Sequence, residues 1–295
     1  MTNSRLFQLL ALSASFTITG CVADSSTGAG SDEADTDVAT SGVKLMPIQN
    51  SSRVETAPGA VAELSPAITA HLTNFGGPLL THVAVHPVWW RSTTRFQSAF
   101  NTFYPSITNS PLYAMLAQYG IGTGTAVNGV TDNDTATTIS DASIHTELNR
   151  LFANGSLPAP GPNNYYPVHF PQGARITGPD GSRSCVQFCA YHGTYVRNGV
   201  NVNYGVIPDV GDSGCNGGCG TNTVQNNEQS VASHELVEAT TDPAVGLATV
   251  VGPPLGWYDP NNGEIGDICN AIQGTTNGLV VQKEWSNAAN ACVDH

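Results

Sequence analysis

Apolar and polar positions along the chain group into short elements, and their pattern predicts an α+β domain. Leu79 to Trp90 (LLTHVAVHPVWW) is the apolar, β-branched and aromatic run that a buried strand needs. Pro87 has no N–H to give a ladder, so pairing is expected to end near it. Thr93 to Phe103 and Pro111 to Tyr119 carry helical spacing. Asp141 to Ala153 does too, with Ser140 placed to cap its start and Gly155 just past its end. Tyr165 to Phe170 reads as short and extended. Tyr191 to Ile207 alternates on either side of Asn198-Gly199, a hairpin signal. A Gly/Cys-rich loop, Gly211 to Gly220, leads into a helix over Gln225 to Thr241, which Asp242-Pro243 must stop. Gly252 to Gly263 is a turn-rich loop and Leu279 to Trp285 a closing strand. The hairpin is expected beside the main helix.

The N-terminus follows different rules. Leu6 to Gly20 is too short for the roughly 20 residues of a spanning helix and, preceded by Arg5, reads as the apolar part of an export signal. Ile18-Thr19-Gly20-Cys21 resembles a bacterial lipobox. Residues 1–20 are therefore expected to be a lipoprotein signal peptide, with Cys21 as the lipidated new N-terminus; a soluble secretory signal is the alternative. Residues 21–44 are small, polar and acidic, which suits a flexible tether. The folded domain is expected over 45–295. Val22 after Cys21 points to outer-membrane or cell-surface sorting of an extracytoplasmic, membrane-anchored protein.

Composition narrows the functional classes. Ten basic against 23 acidic residues give a formal charge of −13, and only Lys44 and Lys283 are lysines. Such a surface repels phosphate backbones, and no GxxxxGK loop is present, so neither nucleic acid nor nucleotide is expected as a partner. Apart from Cys21, six cysteines remain: Cys185, Cys189, Cys215, Cys219, Cys269 and Cys292. An even number in an exported chain predicts disulfides, with the pairing left open. The rival reading is a zinc site made by the two CxxxC pairs.

Ser233 to Pro243 (SHELVEATTDP) carries the chemistry. Residues four apart share a helix face, so His234 and Glu238 project together, as in the HExxH zincin motif with Glu for the second histidine. Imidazole and carboxylate both suit Zn²⁺. Glu235 takes the place of the general base that activates the hydrolytic water. A third ligand is expected from the later NGEIGDIC loop, Asp267 first and Glu264 as its substitute. With a carboxylate replacing the second histidine, Ca²⁺ or no metal at all stays open.

Several motifs in one order resemble the phosphate-induced (EXORDIUM-like) family, over roughly residues 70 to 294. They are the GGP-strand-Trp segment at Gly76 to Trp90, CxxxCxxHG at Cys185 to Gly193 and a CxGxC-like loop at Cys215 to Cys219. The AHELAE-like helix at Ala232 to Glu238, EIxDxC at Glu264 to Cys269 and a closing Trp285 and Cys292 follow. The resemblance implies an extracellular, disulfide-containing domain linked to growth control and the cell wall, without a settled activity. It directs attention to His192, at the mouth of the hairpin, as a metal ligand or oxyanion stabiliser; a hairpin hydrogen bond is the plainer role.

Weaker signals are Gly211-Asp212-Ser213-Gly214, which imitates a serine-protease GDSG; His82 and His86 on one strand face; and Trp89-Trp90-Arg91, which could stack on sugars. The expected fold is a zincin-like sheet packed on the HExxE helix and stapled by disulfides. Two functions follow: a zinc-dependent hydrolase cleaving peptide bonds, or a non-catalytic cell-surface module that binds wall polymer and holds a structural metal or polar site.

Overall fold

The computed structural model describes residues 43–48 and 69–295, and all that follows concerns those. The expected signal segment 1–20, Cys21 and the tether as far as residue 42 lie outside them. The architecture is α+β.

An eight-stranded mixed sheet is its frame. The edge strand Val43–Pro47 runs antiparallel to Phe188–Arg197, which forms a hairpin with Val200–Ile207. Asn198 and Gly199 turn that hairpin at φ 51° and 76°, the left-handed geometry that Asn-Gly supplies cheaply. Asn164–His169 adds in parallel and in turn pairs with Ala84–Val85 and Val88–Trp89. The run from Leu79 to Trp90 is thus two short strands interrupted at His86-Pro87. Pairing resumes after the proline rather than ending there, because the Trp90 N–H reaches His169 O at 2.9 Å.

The sheet's alternation sorts side chains into two cores. Tyr191, Tyr195, Val202, Tyr204 and Val206 pack with Ile144 and Leu148 of the helix Asp141–Ala153. Ser140 caps that helix through a capping box, as its sequence predicts. Ala190 faces the opposite way, into a core with Val231 and Leu236; the two-residue period puts His192 and Thr194 on that face too.

The helix Val224–Thr241 lies at the centre of this second core. The Thr223 side chain accepts the Asn226 N–H at its start, and Asp242-Pro243 ends it. It packs against both hairpin strands and Asn164–His169 of the sheet, and also against the strand Leu279–Gln282. Every residue from Asn227 to Thr241 is buried. A helix covered all round shows no apolar stripe, and its polar residues are carried into the interior.

Two further elements differ from expectation, and the cysteines pair as disulfides as expected. The first helix is Gln97–Ile107, starting after a turn in which Thr94 N–H bonds Arg91 O. Leu279–Gln282 pairs with Gln273–Thr276 across Asn277-Gly278, and Glu284–Ser286 pairs separately with Ala291–Val293. The cysteines form Cys185–Cys215, Cys189–Cys219 and Cys269–Cys292 disulfides. Each CxxxC cysteine bonds into the other pair, which overturns the four-cysteine zinc reading.

Candidate metal centre

Five ionisable side chains from three elements meet inside the second core. His192 comes from the hairpin strand, His234, Glu235 and Glu238 from the central helix, and Glu264 from the loop after Gly263. Each is at most 1% exposed. His192 Nδ1 lies 3.3 Å from Glu235 Oε2 and 3.6 Å from Glu238 Oε2, and its Nε2 lies 3.5 Å from Glu264 Oε1. His234 Nε2 lies 3.1 Å from Glu238 Oε2. Two overlapping triplets, His192/Glu238/Glu264 and His234/Glu235/Glu238, keep one ligand atom per residue within 4.8 Å of the others. Glu238 belongs to both.

The HExxE spacing does place His234 and Glu238 together, and the loop does deliver an acid. That acid is Glu264. Asp267 instead meets Glu238 through its backbone, whose N–H donates to Glu238 Oε1 at 3.0 Å. His192 is not at the hairpin mouth: it pairs with Gly205 in mid-strand and is fully buried.

Electrostatics explain why such a cluster is costly. Burial pushes the Glu235 carboxyl well above its usual range; His234 pulls it down, and Glu238 and Asp267 push it up again. Its Oε1 has no hydrogen-bond partner. Glu284, fully buried on the next strand, is raised by burial in the same way, and neither of its oxygens has a hydrogen-bond partner. At His234, burial opposes charge, but Glu238 above all, then Glu235 and Glu284, favours it strongly. Uncompensated buried carboxylates of this kind are found paired or coordinating a metal.

Sequence reasoning missed the groups that hold these side chains. Gln282 donates its amide N–H to Gly266 O at 2.9 Å, accepts the Ala271 N–H at 2.9 Å, and brings the same nitrogen within 2.6 Å of His234 Nδ1. The Gln282 backbone N–H donates to Ser233 Oγ at 2.8 Å. Gly266 passes so close that a Cβ there would stand 2.5 Å from His234 Nδ1. Asn277-Gly278 was the available signal, since its turn sets the strand that carries Gln282.

Other sequence candidates lie elsewhere. His82 is exposed, with Nδ1 3.0 Å from Thr123 O, while His86 stacks on Tyr166. Trp89 and Trp90 are core residues, 2% and 1% exposed, so they offer no sugar platform. Asp212 of the GDSG segment accepts the Gly173 N–H at 2.8 Å. Compared with known protein families, curated protein sequences and solved structures, the chain matches none.

Proposed function

We propose that the chain is an exported protein whose domain is organised around one buried divalent cation held by Glu238, Glu264 and an imidazole. The observation that carries this reading is the convergence of two histidines and three glutamates, each at most 1% exposed, from three separate elements. A nitrogen and carboxylate-oxygen donor set suits Zn²⁺; a Ca²⁺ site would be built of oxygens alone.

Burial supports a structural use of the ion, in a non-catalytic module of the cell surface or wall. The three disulfides fit an oxidising, extracytoplasmic compartment, and no described helix is long and apolar enough to cross a membrane. The lipobox at Cys21 supports lipid anchoring to a membrane, and the ordered motifs support membership of the EXORDIUM-like family.

The second reading is metal-assisted hydrolysis of a peptide bond. It is favoured by Glu235, whose Oε1 is unpartnered beside the candidate ligands. A bound ion would supply Lewis-acid polarisation; Glu235 would take the proton from water, and His192 would face the oxyanion. Elemental analysis of the purified, disulfide-bonded protein is the first test, with one zinc per chain expected and none overturning both readings. Glu235→Gln then separates them: zinc retained with peptide hydrolysis abolished supports the enzyme, while no hydrolysis by zinc-loaded wild type supports the module.

A further inference from the structure

We infer that the centre is binuclear: a second divalent cation sits among His234, Glu235 and Glu238, and Glu238 bridges it to the first, held by His192, Glu238 and Glu264. The inference rests on the cation reading above, adds one ion to it, and takes Glu235 as a ligand in place of a base.

The two imidazoles belong to different triplets, and Glu238 belongs to both. Each ring has one nitrogen held and the other turned toward a carboxylate. His192 Nδ1 is hydrogen-bonded to Glu235 Oε2 at 3.3 Å, and its Nε2 faces Glu264 Oε1 at 3.5 Å. His234 Nδ1 is hydrogen-bonded to the Gln282 amide at 2.6 Å. Its Nε2 is buried with no hydrogen-bond partner, 3.1 Å from Glu238 Oε2. Metal-ligating histidines are oriented in this way, through a hydrogen bond at the far ring nitrogen. The two nitrogens turned to carboxylates face different acids and so serve two positions rather than one.

Glu238 is placed to bridge. The Asp267 N–H holds its Oε1 at 3.0 Å, and its Oε2 lies 3.1 Å from His234 Nε2 and 3.6 Å from His192 Nδ1. Glu235 ties the two positions together a second time: its Oε2 holds the His192 ring, and its buried Oε1 has no hydrogen-bond partner. Charge asks for the second ion as well. Glu235, Glu238, Glu264 and Glu284 are each at most 1% exposed, and Glu284 acts electrostatically on His234, Glu238 and Glu235. Neither Glu284 oxygen has a hydrogen-bond partner. Four carboxylates beside two neutral imidazoles are neutralised by two divalent ions, whereas one ion leaves two buried negative charges uncompensated. Four carboxylates with two imidazoles is also the donor set of di-iron and di-manganese carboxylate centres, here gathered from strands, a helix and a loop. Two bridged ions about 3.5–4 Å apart repel each other. The second site is therefore the weaker, filled by added metal after the first is occupied.

The test titrates the purified, disulfide-bonded protein with zinc chloride or manganese chloride and counts the metal that stays bound through gel filtration. Wild type should rise from about one ion per chain to about two, while Glu235→Gln and His234→Gln should each stop at about one. With two manganese equivalents, electron paramagnetic resonance of wild type should show the multiline signal of a coupled pair, absent at one equivalent and in Glu235→Gln. That signal needs no variant, so it decides the matter even where a substitution prevents folding. A wild type that stops at one ion overturns the inference, as does a second ion without coupling, or a folded Glu235→Gln or His234→Gln that still takes two. A wild type that takes up no metal sinks the underlying cation reading instead, so the two failures are told apart.

Discussion

Asp267 reaches Glu238 through its backbone: the Asp267 N–H donates to Glu238 Oε1 at 3.0 Å and fixes the carboxylate from the loop side. With Oε1 held there, Oε2 is the oxygen turned toward both histidines. The loop thus contributes to the centre twice, by the Glu264 side chain and the Asp267 amide. Asp267→Asn keeps that amide and should leave zinc stoichiometry unchanged, whereas Glu264→Gln should abolish tight binding. Equal losses in the two variants, measured by zinc titration, would contradict this division.

Gly266 has an ordinary negative φ of −80°, so its lack of a side chain matters for space alone. An added Cβ would meet His234 Nδ1 at 2.5 Å and Glu238 Oε1 at 2.9 Å, with both side chains locked by other bonds. Gly266→Ala is expected to cost about 1–3 kcal/mol, the usual penalty for overpacking. Chemical denaturation gives the number; an unchanged midpoint would show that the imidazole can move aside.

The Cys269–Cys292 bridge closes 23 residues that include both Gln282 and Glu284, directly after the Glu264 loop. Chain-entropy reasoning assigns such a loop about 3 kcal/mol. Replacing both cysteines by alanine should lower stability by roughly 2–4 kcal/mol and weaken zinc binding. The Cys185–Cys215 and Cys189–Cys219 bridges interlock, so removing one should cost less than removing both. Paired denaturation and zinc titrations check the two statements.

Acid sensitivity should come from a buried chain away from the metal centre. Tyr104 Oη lies 2.8 Å from His169 Nε2, and His169 Nδ1 lies 3.3 Å from Glu228 Oε1. Burial lowers His169 from 6.5 to about 3, so between those values the unfolded chain binds a proton that the native state refuses. Native stability therefore falls as pH drops through this window, by up to about 1.4 kcal/mol per pH unit. His169→Gln should flatten that limb in urea melts.

Glu228 shifts the other way. Burial, then Asp209, raises it well above 4.5 against the pull of Arg95, so its contribution is complete below 4.5 and lost as pH rises toward its folded value. Glu228→Gln should be relatively more stable on the alkaline side. Stability curves for Glu228→Gln and wild type that stay parallel from about pH 5 to pH 8 would refute this sign.

Local rules determined much of this protein from the sequence. Ser140 capping, the Asn198-Gly199 turn, the stop at Asp242-Pro243 and the four-residue spacing of His234 and Glu238 depend on neighbours a turn or less away, so they were legible. The resemblance drew attention to His192, whose register only the sheet could supply. Tertiary structure alone decided which cysteines bond, that Glu264 rather than Asp267 joins the triplet with His192 and Glu238, and that Gln282 hydrogen-bonds the His234 ring. Those outcomes depend on segments tens of residues apart being packed around one helix that is covered on every side, and a helix so enclosed leaves no amphipathic pattern to read.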